Sequence, residues 1–558
     1  MRRFAVCLLL LWLIAVPATG VQIVEFCPDP WLSGEDDEFI VLQGEGSLAG
    51  VRLTDGEGGL RFPEGASIQG RVVLARRADA YRTVHGTLPD WECFDTLEAV
   101  PDVIRSGDFR MANRGDELRL LRGTVVLQTV TWPGDVECRE GQVHYREDGI
   151  WDPRVLAIGQ SRFAPETFRN ASVTAFVSPD AACAAFSRAV ADADERILVN
   201  VYEMTHPDMA NALIRARERG VSVTVLLEGG PVGGIPGGEE EVAGTMTASG
   251  IPVLAMTGTD TVHARYRYDH AKYLVVDGDT VLVTTENFKQ SGFPVDGGYG
   301  NRGWGAVITH PGVARYFESV FWADAGGGDI TAFPGAAGTA LSGTPPTPAT
   351  GRHPPAEFTD VTVTPVLSPD TSDLIPALIG NATATIDIQQ ASITNTSDGR
   401  LNPYLAAAVN ASRAGVRVRV LLDSAWFNTD GDEDNDEMVA LINSIARREG
   451  VPLAGRCADL EAMQAAKIHT KGIIVDGRSV AISSINWNDN SPRFNREAGV
   501  ILDSPGVAGY FTAVFEEDWD AGHRTVPAGD TTTDLLRYTA LAAVIGGVAL
   551  LGWHRHLR

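Results

Sequence analysis

Two textures of hydrophobic patterning divide the chain. From Val21 to about Ala164, short apolar runs alternate with polar positions and break at glycine, as in "EFIVLQG", "GVRLTDGEG", "RVVLARR", "ELRLLRG" and "TVVLQTVTW". Alternation of this kind, over roughly four to eight residues between turn signals, predicts strands, and several in succession predict a β-sandwich spanning 21–164. From Asn170 the runs change character. "RILVNVYEM" is apolar on both faces, "MANALIRARERG" places apolar residues at helical spacing, and "VSVTVLLEG" is a second buried strand. Strand, helix and strand in that order predict an α/β unit over 165–325.

The order then repeats. Gly326 to Pro355 is rich in glycine and proline and predicts a linker, after which "VTVTPVLSPD", "TATIDIQQ", "LNPYLAAAVNASRAG" and "VRVRVLLDS" run through the same sequence of elements over 356–522. "AFVSPD" is answered by "PVLSPD", and "RERGVSVTVLLEG" by "SRAGVRVRVLLDS". One unit has been duplicated.

The chain ends carry a third pattern. "MRRFAVCLLLLWLIAVPATG" has two arginines, an apolar run and small residues, which predicts a secretory signal peptide over 1–20. "LLRYTALAAVIGGVALLGW", Leu535 to Trp553, predicts a transmembrane helix preceded by a polar juxtamembrane segment, 523–534. The basic tail 554–558 then favours the cytoplasmic side, with the bulk of the chain extracytoplasmic and the protein held in the cell membrane by a single span. Five cysteines remain beyond the signal, an odd number that excludes complete internal pairing, and Cys93–Cys138 is the expected bridge.

Composition changes this picture little. At 558 residues the chain is too long for one core. Its formal charge of −26 argues against an extended face for polyanions, although an active site needs only a few local cations. No cysteine–histidine spacing reads as a zinc site. The acidic run Asp430 to Glu437 starts like a calcium loop but has Leu441 where the final glutamate belongs, so no metal and no cofactor is expected.

The chemistry lies in a sentence written twice. "YDHAKYLVVDGDTVLVTTENF" and "AKIHTKGIIVDGRSVAISSINW" each contain His-x-Lys-x-x-x-x-Asp, with an asparagine seventeen positions after the histidine. On a strand His270 and Lys272 share a face, as do His469 and Lys471. A neutral imidazole can attack phosphorus and an ammonium can hold a phosphate oxygen.

These paired motifs resemble the phospholipase D superfamily over about Asn170 to Ala521. That resemblance implies an α/β fold in which the two motifs meet in one site and work through a phosphohistidine, without a metal. It makes His270 the nucleophile and His469 the acid and base, an order that could be reversed. Lys272, Lys471, Asn287 and Asn486 would hold phosphate oxygens with the hydroxyls of Thr285 and Ser484, while Asp277 and Asp476 would organise the site. An orienting acid is supplied by Glu497 in "NREAGV", whereas the aligned "NRGWGAV" has Gly303. The first region, "VEFCPDPWLSGEDDEFIVL" to "NRGDELRLLRGTVVLQTVTW", resembles a lamin-tail domain, which implies an immunoglobulin-like fold. The expected architecture is therefore an immunoglobulin-like β-sandwich, a duplicated α/β catalytic unit and one transmembrane helix. The expected substrate is a phospholipid or another phosphodiester. A nuclease acting on nucleic acid and a non-catalytic surface scaffold are the alternatives.

Overall fold

The computed structural model describes residues 20–132, 140–147, 149–152, 154–258, 262–335, 347–431 and 434–521. The duplication is visible strand by strand in one sixteen-stranded sheet. In the first half the strands lie in the spatial order Val253–Met256, Ser222–Glu228, Arg196–Val201, Lys272–Val276, Thr280–Thr284, Gly300–Thr309, Phe168–Ser178. The second half runs in mirror order: Ala356–Ser368, Glu497–Asp503, Ser479–Ser483, Lys471–Val475, Thr385–Gln390, Arg417–Leu422, Leu453–Cys457. The halves join where Phe168–Ser178 pairs antiparallel with Ala356–Ser368.

Strands buried on both faces explain the near-continuous apolar runs. In Lys272–Val276, Tyr273 and Val275 point into a core shared by both halves, which contains helices Pro311–Asp324 and Pro505–Ala521. Leu274 and Val276 point the other way, against helices Ala182–Ala191 and Pro207–Glu218. The second half repeats the arrangement, with Ile473 and Val475 facing helices Pro403–Arg413 and Asn435–Glu449. Helix starts are duplicated too: His206 caps the helix opening at Pro207, and Asn402 the one opening at Pro403.

Two buried arginines cross the seam. Arg496 donates to Asp370 at 2.8 Å and to the Ser368 carbonyl at 3.0 Å in its own half, and to Asp324 of the first-half helix at 2.9 Å. Tyr266 and Ser161 complete its shell. Arg302 is the counterpart: it donates to Asp180 at 2.9 Å and the Ser178 carbonyl at 3.0 Å, and pairs with Asp518 of the second-half helix at 3.0 Å. Each guanidinium therefore ties its own Ser-Pro-Asp turn to the closing helix of the other half.

Asp277 and Asp476 occupy equivalent turns at the far ends of the motif strands, both with positive φ, at 50° and 53°. Asp277 accepts the backbone N–H groups of Asp194, Glu195 and Arg196 at 2.7–2.8 Å. Asp476 does the same for Thr383, Ala384 and Thr385. Burial tends to raise both carboxyls, but these donors outweigh it and leave each below the usual aspartate range. At about 3.3 Å per residue, five residues of strand put each aspartate some 16 Å from its lysine. The expected role in organising the site is corrected: they fasten the neighbouring strand's entry.

Three further expectations are corrected. The region after Gly20 forms two facing sheets around one core, but they have seven and five strands. Helix Ala78–His85 is followed by Trp91–Phe94, which pairs parallel to Ser67–Arg77. Among the described residues no immunoglobulin-like sandwich is seen, and the lamin-tail resemblance is not carried further. The stretch expected to be a linker is partly built into the fold. Ile330–Ala332 pairs with Val253–Met256, and the Gly351 N–H donates to the Asp180 carbonyl at 2.7 Å. Finally, the single-pass membrane architecture and location are not borne out, because among the described residues no helix is long and apolar enough to cross a membrane. The expected span 535–553, almost all of the expected signal peptide and Cys138 lie outside the described residues.

Replacing Arg496 by methionine leaves Asp324 and Asp370 buried without their ion-pair partner, and should cost about 3–5 kcal/mol, read as a lowered denaturation midpoint. Asp277→Ala should cost roughly 1–3 kcal/mol in the same measurement through its lost N–H partners. Turnover per folded molecule should be nearly unchanged by that second substitution.

Candidate active site

Each motif histidine lies just before its strand, on backbone borrowed by the opposite half. The His270 N–H donates to the Arg496 carbonyl and the His469 N–H to the Arg302 carbonyl, both at 2.8 Å. One residue earlier, the Asp269 N–H donates to Glu228 and the Ile468 N–H to Asp423, both at 2.6 Å. The histidine backbones are thus pinned by equivalent groups on both sides of the seam. Each lysine shares its histidine's face and reaches back to that residue's carbonyl, at 2.7 Å for Lys272 and 2.8 Å for Lys471. An ammonium has three protons, so this contact uses one and orients the others.

A carboxylate stands at each imidazole. Glu497 Oε2 lies 2.8 Å from His270 Nδ1, and Glu286 Oε1 lies 3.3 Å from His469 Nδ1. Glu497 comes from the second half and Glu286 from the first, so each histidine is served from across the seam. The ring of Tyr202 stands edge-on against His270, with centroids 4.6 Å apart.

The charges of the two motifs act on one another. Burial lowers His270, and Lys272 and Lys471 add to this against the pull of Glu497. Burial and Lys471, Lys467 and Lys272 push His469 well below the usual histidine range, and His270 contributes in the same direction. Burial brings Lys272 down to about 8, opposed by Glu497, Glu203 and Glu286, and burial lowers Lys471 in the same direction with Lys272 adding to it. Burial would raise Glu497, but His270 and Lys272 prevail and hold it below its ordinary value. Imidazoles and lysines whose charged forms are disfavoured in this site are stabilised in those forms by the arrival of an anion.

The other expected residues divide. Asn287 donates to Glu203 at 3.0 Å, and Glu203 also pairs with Lys289, which places this asparagine beside the motif lysine's electrostatic neighbours. The Asn486 backbone N–H is held by Ser491 Oγ at 3.0 Å. Thr285 and Ser484 face the adjacent strand instead. Thr285 Oγ1 accepts the Trp304 N–H at 3.1 Å, and Ser484 Oγ accepts the Ala498 N–H at 2.9 Å. Their hydroxyls clamp the strands that deliver Gly303 and Glu497.

Sequence reasoning missed Glu286, Arg302 and Arg496. The arginines carried a signal, since "NR" and "SPD" recur in both halves at matching places. Glu286 carried none, because its counterpart in the repeat is Ile485.

A family model described as cardiolipin synthase, PLD-like domain, matches residues 186–325 and 375–519, together just over half of the chain. A mitochondrial cardiolipin hydrolase of Chlamydomonas reinhardtii is 28% identical over 142 residues, covering 25% of this chain and 54% of the relative. The chain thus spans about half the length of the curated relative it matches. Among solved structures it is similar to phosphatidylserine synthase of Haemophilus influenzae, with a TM-score of 0.47 and 12% identity over 67% of this chain and 94% of that one. It is also similar to Nuc, a phospholipase D family member of Salmonella typhimurium, with a TM-score of 0.25 and 23% identity over 29% of this chain and 98% of that one. The matched spans fall one in each half of the duplicated sheet, and the chain belongs to the PLD-like domain family of the cardiolipin synthase type.

Proposed function

We propose that this protein is a phosphodiesterase that cleaves phospholipids through a phosphohistidine intermediate. The observation that carries the reading is that the histidine of each histidine–lysine pair takes its backbone partner and its carboxylate from the opposite half, which supports one site in which the two pairs act together. The preference for a phospholipid rests on the relatives, one of which is named for cardiolipin hydrolysis.

The reaction follows from the contacts. With Nδ1 of His270 donating to Glu497, the opposite ring nitrogen, Nε2, is the nucleophile. It attacks phosphorus, the bond from phosphorus to the leaving oxygen breaks, and His469 gives that oxygen its proton. His469 is neutral in the resting site, and the anionic substrate beside it favours the protonated ring needed for this step. Water then gives a proton to His469 as its oxygen attacks phosphorus, and the bond to His270 breaks. Lys272 and Lys471 hold the nonbridging oxygens while charge moves through them. Asn287 and Asn486 supply neutral hydrogen bonds to the same group.

Base-quenched turnover of a phosphodiester labelled at phosphorus should leave the phosphoryl group, still esterified to its retained alcohol, on His270, and His270→Ala should abolish both the label and turnover. The absence of any phosphorylated histidine would reject the covalent route. Vesicles containing cardiolipin or other phosphatidyl lipids, assayed beside single- and double-stranded DNA, should yield lipid products. DNA cleavage with inert lipid would overturn the substrate assignment in favour of a nuclease.

The lysine shift sets the alkaline limit. A phosphate-holding ammonium must be charged, so kcat/KM should fall as pH rises through about 8, where Lys272 loses its proton. Activity that stays level up to pH 10 would exclude that role for Lys272.

A further inference from the structure

The two halves supply their carboxylates from different positions. In the second half the acid is Glu497, the residue after Arg496; the residue after Arg302 is Gly303. A Cβ placed on Gly303 would fall 2.6 Å from Cγ of Glu286, and one placed on Gly292 would fall 2.8 Å from Glu286 Oε2. Neither glycine has a positive φ, so it is space and not backbone freedom that the missing side chains provide. Both openings are filled by one side chain, that of Glu286.

The support for the two acids is the same. Asn495, before Arg496, donates to Glu497 at 3.0 Å. Asn301, before Arg302, donates to Glu286 at 2.9 Å. Glu286 is 1% exposed. Its Oε1 and Nδ1 of His469 are both buried without another hydrogen-bond partner and face each other at 3.3 Å. A small ring rotation would close that contact, whereas leaving both unsatisfied is costly.

Resting on the reaction proposed above, we infer that Glu286 is the positioning residue for His469, and that Gly303 and Gly292 lack side chains to admit it. The carboxylate stands not at the Gly303 position but two residues beyond the end of the neighbouring strand Thr280–Thr284, and the two glycines leave the room it fills. Glu286 fixes the tautomer of His469 and favours its protonated form against Lys471, Lys467, Lys272 and His270, the cationic and titratable groups acting on that ring. The contact is longer than that of His270 with Glu497, so the site is two-fold in backbone but unequal in how firmly its imidazoles are held.

Glu286→Gln keeps the shape and the Asn301 neighbour while removing the charge. It should lower kcat on the order of 10- to 100-fold with little change in KM, and move down the pH above which kcat falls. Gly303→Glu alone collides with Glu286 and should be inactive. Glu286→Ile with Gly303→Glu copies the second half and should recover at least tenfold over Glu286→Gln. Parental kcat and pH limit in Glu286→Gln, or a double variant that melts like the parent without recovery, would overturn the inference. Nitrogen NMR of His469 reads the contact without turnover: its Nδ1 signal and pKa should change in Glu286→Gln, and unchanged values would also overturn it. Full activity of His469→Ala would count against the proposed reaction instead, leaving the NMR result to decide the contact.

Discussion

A guanidinium group buried beside two carboxylates from different halves is the constraint on which this architecture depends, and it occurs twice. Arg302 joins Asp180 to Asp518, and Arg496 joins Asp370 to Asp324. Taking such charges from water is expensive, and only complete pairing with good geometry offsets the cost. The halves therefore cannot slide or separate without exposing or stranding charge. The carbonyls of these same arginines receive the N–H groups of His469 and His270. An ion pair that fixes the seam thus also fixes the backbone of each imidazole.

The duplicated sheet turns this joint into a reaction site. Each histidine belongs to one half by sequence but takes its backbone partner and its carboxylate from the other. Neither half alone has a complete histidine environment. The symmetry is also incomplete in ways that pack: besides Glu286 in the space beside Gly303, Trp304 lies over Gly472, where a Cβ would collide with its ring. The first packs within one half and the second across the seam, and neither is repeated in the other copy, so the two copies cannot be exchanged. Such differences allow two chemically identical imidazoles to take different parts in one reaction.

Much of this was legible in the chain. The repeated His-x-Lys pairs were readable because their chemistry depends on a strand's two-residue period, which any sequence displays. The duplicated strand and helix order survived because buried strands need long apolar runs. Asp277 and Asp476 repeat as faithfully as the histidines, yet they serve turns, since repetition preserves structural and chemical residues alike. Glu286 was invisible because a carboxylate that reaches its target from the bend after a neighbouring strand leaves no shared offset. Alternation in the region after Gly20 reveals strands, but it does not specify their pairing. The parallel partner of Ser67–Arg77 follows from an intervening helix that turn chemistry alone does not reveal.

The central claim is that two imidazoles from the two halves act on a single phosphorus atom. A crystal structure with bound orthovanadate, a mimic of phosphorus under attack, tests it most directly. The account predicts one vanadium atom bonded to Nε2 of His270, with Nε2 of His469 on the opposite face and both lysine ammonium groups on its equatorial oxygens. Vanadate held by one half alone, with the other histidine beyond contact, would contradict it.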